Sequence, residues 1–247
     1  MSLASEYKKQ YAWRDWDSAL SLCPITPDQR VLDLGCGPGD LSAALSSRGV
    51  QVTGIDNNAE LLAVARERCP QGVFEKQDLN VLNLEPGKYD GLWCSFTAAY
   101  FTDFESVFSG WKTFLKPKAW VCIVDIDDLL GHEPLSAKTR DRVCKFYEEL
   151  LQKKGYDFRA GRKISDVLEK NGFNVKSLIL KDKELSFQGP ADPDVAQAWE
   201  DRFNRMRGLQ AFFGEDFTAF KKEFKHCIAA AEHRSLCRVV CCVGTRG

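Results

Sequence analysis

Apolar residues first recur along the chain at Tyr7, Tyr11, Trp13, Trp16 and Leu20, which predicts a helical N-terminal segment ending where Pro24 and Pro27 break the chain. Arg30 to Leu34 reads as a short buried strand, followed by a turn at Gly35, Gly37 and Gly39. A helix from Leu41 to Arg48 stops at Gly49, Val50 to Ile55 forms a second strand, and Ala59 to Arg68 forms a helix ending before Pro70. Strands at Val73 to Glu75, Tyr89 to Ser95 and Trp120 to Ile126 follow. A turn around Pro86-Gly87 and a helix from about Phe104 to Leu115 separate them. Five strands alternating with helices in the first half predict a doubly wound α/β fold with a mostly parallel sheet.

The second half opens with apolar positions Val143, Phe146, Tyr147, Leu150 and Leu151 at helical spacing, predicting a helix over roughly Lys138 to Lys154. A shorter helix around Lys163 to Lys170 exits at Asn171-Gly172, and strands are predicted at Phe173 to Leu180 and Leu236 to Val243. Between those strands Trp199, Phe203, Met206 and Phe213 form one helical run. Phe217, Phe220, Phe224 and Ile228 form a second, with Gly214 between the two. The chain, 1–247, is therefore expected to be one domain: an N-terminal helical segment (1–29), a core (30–186), a helical insertion (187–235) and a final strand (236–247).

The 34 lysines and arginines nearly balance 35 aspartates and glutamates, for a formal charge of -1. No global field for gripping a phosphate backbone exists, which disfavours nucleic acid as a partner. The ten cysteines are scattered, several in apolar runs (Cys94, Cys122, Cys241, Cys242), and none forms a CxxC pair. They read as buried hydrophobes in a reducing compartment, and no metal site is expected. Met1 to Arg14 lacks the apolar core of a signal peptide, and no stretch is long enough to cross a bilayer, so a cytoplasmic location is the expectation.

Val31-Leu32-Asp33-Leu34-Gly35-Cys36-Gly37-Pro38-Gly39 places three glycines directly after a strand and before a helix, where a ligand can approach bare backbone. A dinucleotide fold would carry G-x-G-x-x-G, but its last glycine position is Asp40. Asp33 and Asp40 put carboxylates on both sides of the loop, which suits a ligand with a positive centre better than a pyrophosphate. Asp56 ends the second strand 21 residues beyond Gly35, a position suited to accepting from two ribose hydroxyls or, alternatively, to capping the next helix, a role Asn57 or Asn58 could also fill.

The run VLDLGCGPG resembles the first motif of the class I S-adenosylmethionine-dependent methyltransferases, and the likeness extends from Val31 to about Asp127. It implies a seven-stranded sheet whose last strand is antiparallel, between the fifth and sixth. It places Gly35, Cys36 and Gly37 around the methionine and ribose portions of S-adenosylmethionine, with Asp33 near the amino group. By the same resemblance Asp56 holds the ribose, Asn57 neighbours the adenosine, and Asp78 accepts from the adenine amine beside the Leu79 backbone. Ser95, Phe96 and Tyr100 would line the methionine end. Lys116-Pro117-Lys118 departs from the family's frequent L-x-P-G-G turn before the fifth strand.

Methyl transfer to give S-adenosylhomocysteine needs alignment and exclusion of water more than a catalytic side chain, and no catalytic residue is assigned. Candidate bases for a hydroxyl acceptor are Tyr100, Asp127, His132, His226 and His233, although each alone reads first as a solvated or structural residue. The aromatic insertion could close over a small organic acceptor, with Tyr11, Trp13 and Trp16 opposite, or could simply pack. Arg202, Arg205 and Arg207 could receive an acceptor carboxylate or phosphate, or form a wet helix face. Ser95-Phe96-Thr97-Ala98 lacks the NPPY-like tetrapeptide in which amino-methylating enzymes of DNA and glutamine resemble one another, and no glutamate pair like that of arginine methyltransferases is present, so a small molecule is the expected acceptor, methylated on nitrogen or oxygen. Alternatives are an RNA-modifying methyltransferase, a nucleotide-dependent oxidoreductase and a non-catalytic cofactor-binding subunit; oligomeric state is left open.

Overall fold

The structure is a computed structural model that describes residues 3–153 and 155–246. Two helices lead in, α1 (Leu3–Ala12) and α2 (Trp16–Leu22), where the sequence predicted one helical segment. The break falls at Trp13 to Asp15 because Asp15 caps α2, its carboxylate accepting from the Ser18 N–H at 3.2 Å. The core then runs β1 (Arg30–Leu34), α3 (Asp40–Ser46), β2 (Gln51–Asp56), α4 (Ala59–Arg68), β3 (Val73–Lys76), β4 (Tyr89–Ser95), α5 (Phe104–Trp111) and β5 (Leu115–Asp127). No helix joins β3 to β4; the expected turn at Pro86-Gly87 leads into β4.

The second half comprises β6 (His132–Glu133), α6 (Ala137–Gln152), α7 (Ile164–Lys170), β7 (Asn174–Leu180), α8 (Pro193–Arg205), α9 (Arg207–Phe213), α10 (Phe217–Ala229), β8 (Arg234–Ser235) and β9 (Arg238–Thr245). Lys154, the expected end of the α6 helix, lies outside the described residues. Seven strands form one sheet in the order β3-β2-β1-β4-β5-β9-β7. The first five are mutually parallel, and β9 inserts antiparallel to both β5 and β7. This is the doubly wound, mostly parallel seven-stranded sheet that the sequence implied.

Period-two alternation along β5 separates two cores. Trp120, Cys122, Val124 and Ile126 enter the cluster that holds Trp16, Leu45 and the aromatic residues of α8 to α10. Val121 and Ile123 enter the opposite cluster with Phe108, Trp111, Ile164 and Leu168. The expected turn at Lys116-Pro117-Lys118 is instead a bulged start of β5. Tyr89 pairs Leu115 and Gly91 pairs Trp120, so the residues between are pushed out of register.

Between β7 and β9 lie three helices where two runs were predicted. Met206, at φ -76° and ψ 67°, closes α8 and opens α9, so the first aromatic run is divided. The β6–β8 ladder, with His132 opposite Ser235, ties this segment back to the core. Among the described residues no helix is long and apolar enough to cross a membrane. None of their His, Cys, Asp and Glu side chains gather in a group of three or more able to hold a metal ion.

Candidate functional site

Sheet order reverses between β1 and β4, and in open α/β sheets the crevice at the carboxyl ends of strands around such a switch point receives the ligand. A cavity of about 720 Å3 sits there, within the range of roughly 300–1,000 Å3 that encloses drug-sized molecules. Its sheet-side wall comes from the loops leaving four parallel strands.

Behind β1, Asp33, Gly35, Cys36, Gly37 and Asp40 reach the cavity. Gly35 is held at φ +71°, with its N–H donating to Ile55 O at 2.8 Å. A Cβ there would sit 2.1 Å from Thr97 Oγ1, so only glycine fits. At Gly37, φ +51°, the added atom would meet nothing nearer than the Tyr7 ring at 3.8 Å, so this part of the loop is open towards the ligand space.

Asp33 is 1% exposed and accepts from Ser42 Oγ at 2.6 Å. Burial pushes its carboxyl up to about 7, with the Ser42 hydrogen bond opposing and the Asp56 charge adding. A cation in the cavity would favour its charged form. Asp40, expected to offer its carboxylate to a positive centre, is ion-paired to Arg68, which also donates to Pro38 O at 3.0 Å.

Asp56 and Asn57 follow β2. Asp56 Oδ2 accepts from the Gly37 N–H at 2.9 Å and Oδ1 from the Asn58 N–H at 2.8 Å. One carboxylate thereby fixes the glycine loop against the end of β2, and each oxygen retains a lone pair for a further donor. The helix cap is Asn58, whose Oδ1 accepts from Glu60 and Leu61, so the capping alternative for Asp56 falls away.

Asp78 and Leu79 reach the cavity beyond β3, where the Asn80 backbone and side-chain N–H groups hold the Asp78 carboxyl below its usual range. Ser95, Phe96 and Tyr100 complete this wall beyond β4. Phe96 adopts φ +52°, a backbone strain that functional sites tolerate when neighbours enforce it. Its N–H donates to Val124 O at 2.7 Å, and its ring packs edge-on to Trp16. All twelve residues singled out from the sequence thus surround one cavity.

Four of the five candidate bases do not reach it among the residues described as lining. Asp127 accepts from Arg162 Nε at 2.5 Å, and His226 is exposed on α10. His132 Nδ1 lies 2.9 Å from His233 Nε2, while His233 Nδ1 lies 2.9 Å from Gly189 O. The carbonyl can only accept, so both Nδ1 atoms carry the protons and His132 Nε2 is left buried with no partner. Burial, then the neighbouring His233, pushes His132 down to about 3. The pair braces the β6–β8 ladder; only Tyr100 remains at the cavity.

The facing wall contains residues that sequence reasoning passed over: Tyr7 and Gln10 from α1, Arg14 after it, and Tyr156 and Phe158 before α7. Tyr7 is pushed up to about 12, chiefly by burial. Arg202, Arg205 and Met206 line it from α8 and its end. Arg202 and Arg205 are paired with Glu184 and Glu6, leaving Arg207 alone of the three outside the lining and exposed.

Residues 31–118, the stretch that supplies the sheet-side wall, match a family described as a methyltransferase domain. Over that stretch the chain is similar to methyltransferase domains. The ubiquinone biosynthesis O-methyltransferase of Albidiferax ferrireducens is 35% identical over 106 residues, covering 40% of this chain and 42% of that one. The trans-aconitate 2-methyltransferase of Paracidovorax citrulli is 41% identical over 71 residues, covering 28% and 27%. The chain spans less than half the length of these curated relatives. Among solved structures, phosphoethanolamine N-methyltransferase 2 of Haemonchus contortus superposes with a TM-score of 0.57 at 21% identity, over 94% of this chain and 52% of that one. At that identity the likeness concerns the fold of the methyltransferase domain.

Proposed function

We propose that the protein binds S-adenosylmethionine in this cavity and transfers its methyl group to a small organic acceptor on nitrogen or oxygen. The observation that carries the reading is Asp56, which clamps the glycine loop through Gly37 and lines the cavity. The Haemonchus structure is described with S-adenosyl-L-methionine, and both curated relatives are named methyltransferases.

The cavity fits the cofactor chemically. Open backbone at Gly37 admits close approach, and the buried Asp33 carboxyl suits a cationic amino group. When bound, the cofactor supplies a methyl carbon activated by its sulfonium. Asp56 accepts from the ribose hydroxyls, Asp78 from the adenine amine, and the Leu79 backbone reaches the ring. Ser95, Phe96 and Tyr100 shape the methionine end, with Cys36 and Asn57 packing alongside. Asp40, neutralised by Arg68, orders the loop and contributes little charge to the ligand.

α1 and the α8–α9 segment act as a cover that excludes water and aligns the acceptor for in-line displacement. The formal charge of -1 leaves no overall basic surface of the kind an RNA substrate would require. Calorimetric titration with S-adenosylmethionine, S-adenosylhomocysteine and NADH tests the reading. Micromolar binding of the first two is expected, with Asp56→Ala weakening it by about 1.5–3 kcal/mol. Binding of NADH alone would make the protein an oxidoreductase candidate and end the methyltransferase reading.

A further inference from the structure

The facing wall contains two arginines that are held from behind. Arg14 Nε donates to Asp182 Oδ2 at 2.5 Å, with the two side chains 6% and 0% exposed. Its guanidinium carbon lies 4.1 Å from the centre of the Phe96 ring, at the methionine end of the proposed cofactor site. Arg202 directs Nε and one Nη to a single oxygen, Glu184 Oε1, at 3.1 and 2.5 Å. Glu184 Oε2 stays buried with no hydrogen-bond partner.

Both acids belong to one turn. Asp182 Oδ1 accepts from the Glu184 and Leu185 N–H groups, each at 2.8 Å, which fixes the two carboxylates relative to each other. Arg14 and Arg202 both line the cavity, and the charge of Arg202 is felt by the Tyr100 and Tyr156 phenols.

A buried ion pair adds little stability over apolar packing, and an unsatisfied carboxylate oxygen detracts from it, so this arrangement calls for a role in positioning. Each guanidinium offers five N–H donors in a planar fork, and the hydrogen bonds described here engage one on Arg14 and two on Arg202. We propose that Arg14 and Arg202 form an oxyanion clamp for the methyl acceptor, which is an organic carboxylate or phosphate ester whose body lies against Phe96, Tyr156 and Phe158. Asp182 and Glu184 are positioning residues that set the two forks. The proposal rests on the methyltransferase reading and names the chemical class of its acceptor.

The test titrates the protein, saturated with S-adenosylhomocysteine, with benzoate, phenyl phosphate and the uncharged benzamide. One or both anions are expected to bind, benzoate identifying a carboxylate site and phenyl phosphate a phosphate site, with benzamide at least tenfold weaker. Arg202→Met should weaken the anion at least tenfold, and Arg14→Lys, which keeps the charge and loses the fork, at least threefold. Affinity for S-adenosylhomocysteine should stay within threefold in both variants, showing that the fold and the cofactor end survive. Benzamide binding as tightly as the anions, no anion binding, or undiminished anion binding by Arg202→Met would overturn the clamp while leaving the methyltransferase reading intact. Failure of S-adenosylhomocysteine itself to bind would overturn both.

Discussion

The sheet-side wall of the cavity is made by residues close in sequence: Gly35 to Asp40, Asp56 to Asn58, and the ends of β3 and β4, held by backbone hydrogen bonds to a parallel sheet. The facing wall joins distant pieces. Arg14 meets Asp182 across 168 residues, and Arg205 meets Glu6 across 199. Backbone architecture fixes the first wall whatever surrounds it, whereas the second exists only after the chain has folded and its side-chain pairs have formed. On the proposed function, rigid backbone on one wall and an ion-paired wall opposite is a division suited to a constant methyl donor and a specific acceptor.

The largest expected effect comes from cutting the facing wall at its anchor. Asp182→Ala leaves the Arg14 guanidinium buried without its partner and should lower unfolding stability by about 3–5 kcal/mol in urea titrations. A loss below about 1 kcal/mol would show that the cover is not held through this pair.

On the opposite wall, Gly35→Ala combines a positive φ with a collision at Thr97 and should cost roughly 2–4 kcal/mol by the same assay. Gly37→Ala, with a positive φ and no collision, should cost about 1 kcal/mol. Equal losses at the two glycines would remove the distinction between a glycine required by packing and one left open to the ligand.

The third expectation concerns the His132–His233 brace behind the cover. His132 takes up a proton near 6.5 when unfolded and only near 3 when folded, so below 6.5 the unfolded chain binds more protons and stability falls. Asp33 and Asp125 act in the opposite direction. Their carboxyls, raised by burial to about 7, cost stability as pH climbs from 3.8 towards 7. The histidine is therefore isolated by difference. Between pH 6.5 and 5 the wild type should lose about 2 kcal/mol relative to His132→Phe. Parallel pH profiles would contradict a buried neutral His132.

Smallest is the outer latch. Glu6→Gln removes the partly exposed pair with Arg205 and should change stability by less than about 1 kcal/mol, with the difference shrinking in high salt.

The same contrast explains what was legible in the sequence. β1, α4 and β4 were readable because buried strands and amphipathic helices declare themselves within a few residues, and the glycine loop because a strand, three glycines and a helix follow in order. The twelve residues on the sheet-side wall come from those local signals. The start of β5 was hidden because Lys116, Pro117 and Lys118 read as a turn while geometrically beginning a bulged strand. The division at Met206 interrupts an aromatic run whose periodicity gives no hint of a break. His132 and His233 carry no local mark of their pairing, which depends on a ladder of two two-residue strands lying 101 residues apart. Arg14 was invisible for the same reason: its partner and the aromatic ring beneath it meet only in the folded chain.

The measurement that bears most directly on the central claim is a crystal structure of the protein grown with S-adenosylhomocysteine. The account predicts the ribose hydroxyls on the Asp56 carboxylate, the adenine beside Asp78 and Leu79, and the homocysteine end passing Gly37 towards Phe96. A ligand bound elsewhere, or one lying in the cavity with Asp56 still turned only to the Gly37 and Asn58 amides, would contradict it.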